Sequence, residues 1–289
     1  MKDSTGNSYF VNQELIEEMV RLNTQANLVT NAMEGVLPEQ DEQVLLGVQD
    51  VLDLACGPGE WVMRVATEHP HWRVVGVDKS KRMIDYASAL QEEAEETAAH
   101  FREMDITQPL GFAAHSFDLV NIRFILTFMK REQWPQLLAE CYRILRPGGI
   151  LRITEQESGF STDAIYQRYI DLWGDVWIKA GHAFAHSHAY IGVTVMLKPL
   201  MRKLGFIEPK HRPIAIDLSS GEPIHRPMME NLIEALRLGG PFLLKWEVAT
   251  QQFLDDLYVE MRTQIDKPGF CAYWLLQTIW SQKPSEEEH

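Results

Sequence analysis

A chain of 289 residues, 45% of them apolar, can build a full hydrophobic core as one large α/β domain or two small ones. The formal net charge of −14 repels a phosphate backbone, so we expect no nucleic-acid partner. Three widely spaced cysteines do not indicate a disulfide framework. The sequence shows neither a signal-peptide pattern nor an apolar run of about 18 residues, so we expect a cytoplasmic protein without membrane contact.

The first predicted element is an amphipathic helix over residues 14–34. Gly35 and Pro38 end it. Its apolar side chains recur every three or four positions, at Leu15, Met19, Leu22, Ala26, Val29 and Met33.

Strands and helices alternate from residue 48 onward. The predicted strands are 48–54, 72–77, 101–104, 117–124 and 150–154. The predicted helices between them are 60–68, a segment capped by Ser80 that turns Met83, Ile84, Ala87 and Leu90 inward, and 132–145. This alternation favours a mostly parallel sheet with helices on both faces.

The second half is less regular. It begins with a stretch rich in aromatic residues and histidine, at 160–190. The predicted elements that follow are helices 195–204, 227–238 and 246–265 and strands 214–218 and 270–279. Together the two halves predict a Rossmann-like, doubly wound α/β fold with a seven-stranded, mostly parallel sheet, an N-terminal helix and inserted helices that form a cap.

A short loop of small residues joins the first strand to the next helix. It contains Ala55, Gly57 and Gly59, which let the backbone approach a ligand closely, although such turns also occur for steric reasons alone. Asp78 ends the second strand about twenty residues later, where a carboxylate can bind both hydroxyls of a ribose. The two features together indicate a nucleoside of the adenosine type.

The charges around the loop separate two nucleoside ligands. A dinucleotide site needs a third glycine, but Val62 stands at that position. Asp53 precedes the loop and Glu60 follows it, and these acids suit an ammonium and a sulfonium better than phosphates. The pattern therefore favours S-adenosylmethionine, and a nicotinamide-dependent reductase is the competing hypothesis.

Five segments in order resemble the class I methyltransferases: 51–60, 74–78, 104–106, 116–120 and 145–151. Further segments, 59–61, 69–70 and 121–124 with Trp134, resemble the branch that holds small-molecule and regulator-type methyltransferases. The resemblance implies S-adenosyl-L-methionine as cofactor. It also implies cofactor contacts from Asp53, Ala55, Gly57, Gly59, Asp78, Lys79, Met83, Asp105, Ile106, Asn121 and Arg123.

The methyl acceptor should bind to the variable second half of the chain. The candidate acceptor-binding residues are Tyr169, Trp173, Trp177 and His182, although helix packing would explain the aromatic spacing as well. The candidates for moving a proton are His182, His186 and Glu155, each of which could also be purely structural. His182 and His186 would suit a metal if helical, but no third ligand is apparent, so we expect no metal site.

These expectations define a single domain over residues 1–289. It divides into an N-terminal helical lid (1–45) with Tyr9, Arg21 and Gln25, a cofactor-binding core (46–155), a segment that completes the sheet and inserts the cap (156–269), and a last strand (270–284). The predicted function is methyl transfer to a small aromatic or apolar metabolite. The alternative is a regulatory or scaffolding protein that keeps the fold without turnover.

Overall fold

A computed structural model describes residue 11 and residues 16–94 and 97–285 of the chain. These residues contain one seven-stranded sheet with the strand order β3-β2-β1-β4-β5-β7-β6. The strands are β1 (Asp50–Leu54), β2 (Arg73–Asp78), β3 (Ala99–Glu103), β4 (Phe117–Arg123), β5 (Leu145–Ser161), β6 (Lys210–Asp217) and β7 (Ala272–Gln282).

All the strands of this sheet run parallel except β7. That strand pairs antiparallel with both β5 and β6. The predicted α/β class, strand number and mostly parallel sheet are confirmed. The central strand β1 is buried along its whole length, as its apolar run predicts.

Helices cover both faces of the sheet. They are α1 (Ile16–Ala32), α2 (Glu42–Leu45), α3 (Glu60–Glu68), α4 (Lys81–Glu93), α5 (Trp134–Ile144), α6 (Ala164–Lys179), α7 (Val193–Lys203), α8 (His225–Lys245) and α9 (Gln251–Gln264). Trp61, Val62 and Val65 of α3 pack on one face, while a larger core joins the other face to buried side chains of α5 to α9. Within the described residues, no helix is both long and apolar enough to cross a lipid bilayer.

Two regions of the second half depart from the sequence prediction. β5 continues to Ser161 instead of ending at residue 154, because its extension pairs with the first half of β7. The aromatic stretch contains a regular helix, α6, whose first turn is capped by the carboxylate of Asp163.

The last two helices also differ from their predicted bounds. α8 runs on to Lys245, through the Gly239-Gly240-Pro241 sequence that predicts its end. Gly239 and Gly240 are both buried, and a Cβ at Gly240 would lie 3.7 Å from Leu254 of α9, so close packing of the two helices holds this segment helical. α9 starts at Gln251, after the cap Thr250, and not at residue 246.

The N-terminal helix is confirmed from Ile16 to Ala32. Its predicted first two positions and Tyr9 lie outside the described residues. α1 packs against α3 and α8. The division of the chain into lid, core, cap and last strand stays a prediction.

Candidate functional site

The sheet reverses its direction of growth between β1 and β4. From β1 the chain adds β2 and then β3 on one side, and it returns to place β4 on the other side of β1. In an open parallel sheet such a reversal leaves a crevice outside the carboxyl ends of the two strands, where ligands bind. Topology alone therefore indicates a ligand site at the loop that follows β1.

The loop between β1 and α3 has a left-handed backbone at three positions. The φ angles are 60° at Ala55, 55° at Gly57 and 87° at Gly59. A Cβ at Gly59 would lie 2.8 Å from side-chain atoms of Ala87 and Phe101, so packing as well as backbone conformation requires glycine there. A Cβ at Gly57 would have no neighbour within 4 Å. The loop therefore packs tightly against Ala87 and Phe101 at Gly59, whereas free space borders it at Gly57.

Asp78 connects this loop to the end of β2. Its carboxylate accepts hydrogen bonds from the backbone N–H of Gly57, at 3.0 Å, and of Ser80, at 2.8 Å. Burial raises the pKa of Asp78, while these N–H donors act in the opposite direction. A carboxylate has about four lone-pair positions, so two accepted bonds leave room for further donors.

Lys79 and Asp105 form an ion pair beside Asp78. Lys79 Nζ lies 2.8 Å from Asp105 Oδ2. The backbone N–H and the hydroxyl of Thr107 donate to the other oxygen of Asp105. Burial would raise the pKa of Asp105, but the hydrogen bonds from Lys79 and Thr107 outweigh it and lower that pKa. Met83 and Ile106, also predicted here, are buried.

Asp53 belongs to a buried polar row that crosses three strands. It accepts a hydrogen bond from Asn121 Nδ2 at 2.8 Å, and Asn121 Oδ1 accepts one from Arg152 at 2.8 Å. Arg152 also donates to Glu39 at 2.7 Å. Burial raises the pKa of Asp53 to about 7, against the effects of Arg123 and Asn121. Both ends of the Asn121 amide are thus occupied by the protein itself.

Arg123, at the end of β4, contacts the N-terminal helix. Its guanidinium donates to the hydroxyl of Thr30 at 3.0 Å and lies 3.6 Å from a carboxylate oxygen of Glu60. It also sits over the ring of Trp61 at 5.9 Å. Burial lowers the pKa of Arg123 to about 10. α1 therefore covers the loop region through Arg123.

A cleft of about 1000 Å³, its open mouth included, lies beyond the carboxyl end of β4 and along residues 155–159 of β5. It is lined by Tyr169, Trp173 and Trp177 of α6, the predicted acceptor-binding aromatics. Trp173 and Trp177 stack, whereas Tyr169 meets Trp173 edge to face. Its other apolar lining residues come from α1, β4 and its following turn, α6, α8 and β7 and include Leu22, Phe124, Leu126, Tyr166, Ile170, Leu232 and Trp274.

Glu155 stands on β5 at the wall of this cleft. Its Oε1 accepts the backbone N–H of Ile125 at 2.7 Å and of Leu126 at 3.1 Å. These two hydrogen bonds hold the turn after β4, where Phe124 has a left-handed φ of 56°. The carboxylate is fully buried, and its Oε2 has no hydrogen-bond partner in the described part of the chain. Burial raises its pKa to about 8.

The two candidate histidines lie elsewhere. His182 is buried behind Trp177, stacks on its ring and donates from Nδ1 to the carbonyl of Leu126 at 2.6 Å. Burial lowers its pKa to about 4, so it is a weak base. His186 is exposed, and neither residue is among those lining the cleft. The segment that carries both is not helical, and in the described residues no three His, Cys, Asp or Glu side chains are grouped to hold a metal.

The chain matches known methyltransferases in sequence. Residues 51–149 match the family described as a methyltransferase domain. The chain is 34% identical over 252 residues to the trans-aconitate 2-methyltransferase of Deinococcus radiodurans. This match covers 84% of this chain and 90% of that protein. The chain belongs to the class I S-adenosylmethionine-dependent methyltransferases. Its cofactor is S-adenosyl-L-methionine.

One more relative agrees with this assignment, and one solved structure shares the fold. The methyltransferase is 29% identical over 175 residues to a demethylmenaquinone methyltransferase of Lactococcus lactis, over 56% of this chain and 67% of that protein. It is similar in fold to phosphoethanolamine N-methyltransferase 2 of Haemonchus contortus, solved with phosphomonomethylethanolamine and S-adenosylhomocysteine. That match has a TM-score of 0.51 and 19% identity and covers 91% of this chain and 58% of the other. At this identity it shows the fold alone.

Only some of the residues that line the cleft of the methyltransferase were predicted from the sequence as site residues. Phe124, Leu126 and Trp274 were not predicted to line a site. Phe124 and Leu126 follow β4, whose carboxyl end any ligand at the switch point must meet, and that position was a usable signal. Trp274 carries no such signal, because only the antiparallel pairing of β7 with β5 brings it to the cleft.

Proposed function

We propose that this methyltransferase acts on a small aromatic or apolar metabolite that binds in the cleft beside Glu155. The observation that carries the proposal is the wall of the cleft, which is built mainly from tyrosine, tryptophan, phenylalanine and aliphatic side chains. The cleft opens beyond the end of β4 and beside residues 155–159 of β5, and β5 is two strands from β1. Strands are spaced by about 4.8 Å, so the glycine loop and the cleft are separated by about 10 Å along the sheet.

The residues of the glycine loop fit the cofactor. The open space above Gly57 admits a ligand to the backbone, and the spare lone pairs of the buried Asp78 carboxylate would accept the ribose hydroxyls. The Lys79–Asp105 pair and Ile106 would border the adenine. When bound, S-adenosylmethionine supplies a methyl group on a sulfonium, which is already an activated donor.

Four predicted contacts have a supporting role in this proposal. Asn121 is occupied by Asp53 and Arg152, and Arg123 by Thr30, Glu60 and Trp61. We infer that Asp53, Asn121 and Arg123 hold the loop and the end of β4 in place. Met83 is buried on α4, the helix whose Ala87 lies against Gly59 of the loop. The positioning of an in-line transfer depends on such rigid support.

The charges of the cleft distinguish this acceptor from a tricarboxylate such as trans-aconitate. Glu155 and Glu157 both line the cleft. Arg21 is the arginine of the described lining, and its guanidinium already holds the carboxylate of Glu18 at 2.6 Å. Above about pH 8, where Glu155 is ionised, a polyanion would therefore face two carboxylates and one neutralised cation, which disfavours its binding.

The test is production of S-adenosylhomocysteine by the purified chain with S-adenosylmethionine and three kinds of acceptor: 4-ethylphenol, an aliphatic alcohol and trans-aconitate. We expect product with the apolar acceptors and none above background with trans-aconitate. Ile170→Glu, which places a charge in the cleft, should abolish turnover, whereas Val195→Glu on the exposed face of α7 should not. Turnover of trans-aconitate alone, or cofactor binding without turnover of any acceptor, would contradict the proposal.

A further inference from the structure

The two carboxylate oxygens of Glu155 differ in their hydrogen bonding. Oε1 is fixed by two backbone N–H groups of the turn after β4. Oε2 is buried and has no protein partner within the described residues. A buried acceptor without a partner costs about 1–3 kcal/mol, and such groups cluster where a ligand completes them. The fixed Oε1 leaves the side chain little freedom to move Oε2 to another partner.

Other charged groups at the cleft are already paired. Both oxygens of Glu157 bind the start of α7, through the backbone N–H groups of Gly192 and Thr194 and the hydroxyl of Thr194. Arg21 holds Glu18 and also donates to Asn231 and Gln25. Glu155 therefore differs from its charged neighbours, since one of its oxygens is left for a ligand.

We propose that the acceptor is a neutral aromatic compound with a hydroxyl group and that Oε2 of Glu155 accepts the hydroxyl proton. This inference rests on the proposed function. In the step, the O–H bond of the acceptor breaks, the proton passes to Oε2, and the electron pair stays on the acceptor oxygen, which becomes the nucleophile. A hydroxyl must lose a proton to become an anionic nucleophile, whereas a neutral amine already carries its lone pair.

The aromatic side chains of the cleft favour an acceptor with a neutral aromatic ring. Trp173 and Trp177 stack on each other along one side of the cleft, and Tyr169 meets Trp173 edge to face, so this side offers aromatic surface to a flat ring. A ring that bears a carboxylate would instead meet Glu155 and Glu157. The combination of a flat apolar wall with one buried acceptor atom is the recognition pattern of a phenol.

Burial strengthens Glu155 as a base. It raises the pKa of this carboxyl to about 8, so the ionised form appears as the pH rises through that value. The titratable or charged groups that share the cleft are Arg21 on α1, Glu157 on β5, Tyr166 and Tyr169 on α6, and His188. Burial raises the pKa of both tyrosines, so they stay neutral in this range.

The test measures binding to the full chain, without turnover, of 4-ethylphenol and of its methyl ether 4-ethylanisole. At about pH 9 the ionised carboxylate can bind only the ligand with an O–H group, so 4-ethylphenol should bind about ten-fold tighter or more. At about pH 6 the protonated carboxyl can donate to either ligand's oxygen, so the two affinities should converge. This pH series in the unaltered protein requires no variant.

The variant Glu155→Gln provides a second test of the same proposal. The glutamine oxygen can still accept from Ile125 and Leu126, but a donor replaces Oε2, so the preference for 4-ethylphenol should disappear at both pH values. Unchanged titration with S-adenosylhomocysteine checks that this variant is folded, and Glu208→Gln, an exposed acid, should keep the preference. Equal binding of both ligands by the unaltered protein at about pH 9 would overturn the Glu155 assignment alone. If neither ligand binds at millimolar concentration, the proposed function falls with it.

Discussion

Replacement of Asp78 by alanine tests the cofactor site most directly. In the proposed site this carboxylate accepts the ribose hydroxyls in addition to its bonds with Gly57 and Ser80. A hydrogen bond to a charged group contributes about 1.5–3 kcal/mol, so the loss of one weakens binding about 10- to 150-fold. The measurement is isothermal titration calorimetry with S-adenosylhomocysteine.

The same change removes the partner of two backbone N–H groups. Each such loss costs about 1–3 kcal/mol when the donor is buried, so Asp78→Ala should also unfold at a lower urea concentration. Asp85→Ala provides a matched control, because Asp85 is an exposed acid of α4 that pairs with Lys81. It should leave both affinity and stability nearly unchanged.

Binding and stability together decide the role of Asp78. A folded Asp78→Ala protein with unaltered affinity would refute its placement at the ribose. The pH supplies an independent check: burial raises the pKa of Asp78, so its protonation, and with it the loss of affinity, should begin at a higher pH than for an ordinary aspartate.

Three further predictions concern stability, measured by urea unfolding. Glu39→Ala leaves Arg152 buried without its carboxylate and should cost about 3–5 kcal/mol; a loss below about 1 kcal/mol would mean that the buried row adds little. His182 has a folded pKa of about 4 against about 6.5 unfolded, so acidification protonates the unfolded chain first. The free energy of unfolding should therefore fall by up to about 3 kcal/mol between those pH values, and His182→Gln should remove that component. Gly59→Ala combines a left-handed backbone with contacts at 2.8 Å and should destabilise by more than the roughly 1–2 kcal/mol expected at the open Gly57; equal losses would contradict the packing argument.

The elements that the sequence predicts best are those determined by neighbouring residues. The observed α3 has its predicted bounds, because Gly59 precedes it and Pro70 follows its end. The position of Asp78 at the end of β2 was predicted for the same reason, since it follows an apolar strand at a set distance from the loop.

Elements that depend on distant partners were predicted less well. The polar extension of β5 to Ser161 forms a strand only because β7, more than a hundred residues later, pairs with it. Gly239 and Gly240 predict a helix end, but packing against α9 overrides that local preference. The lining of the cleft shows the same contrast. Its aromatic side chains on α6 are neighbours in sequence and were predicted, whereas Trp274 reaches the cleft only through the pairing of β7 with β5 and was not.

The long antiparallel pairing of β5 with β7 has a consequence for engineering. Glu155 fixes the turn after β4, whereas Glu157, two residues later, fixes the start of α7. The predicted boundary between the cofactor-binding core (46–155) and the segment that carries the cap (156–269) lies between these two contacts. A chimera that takes its cap from a relative should join there and should also import the first half of β7, so that the donor's own cross-strand pairs come with it.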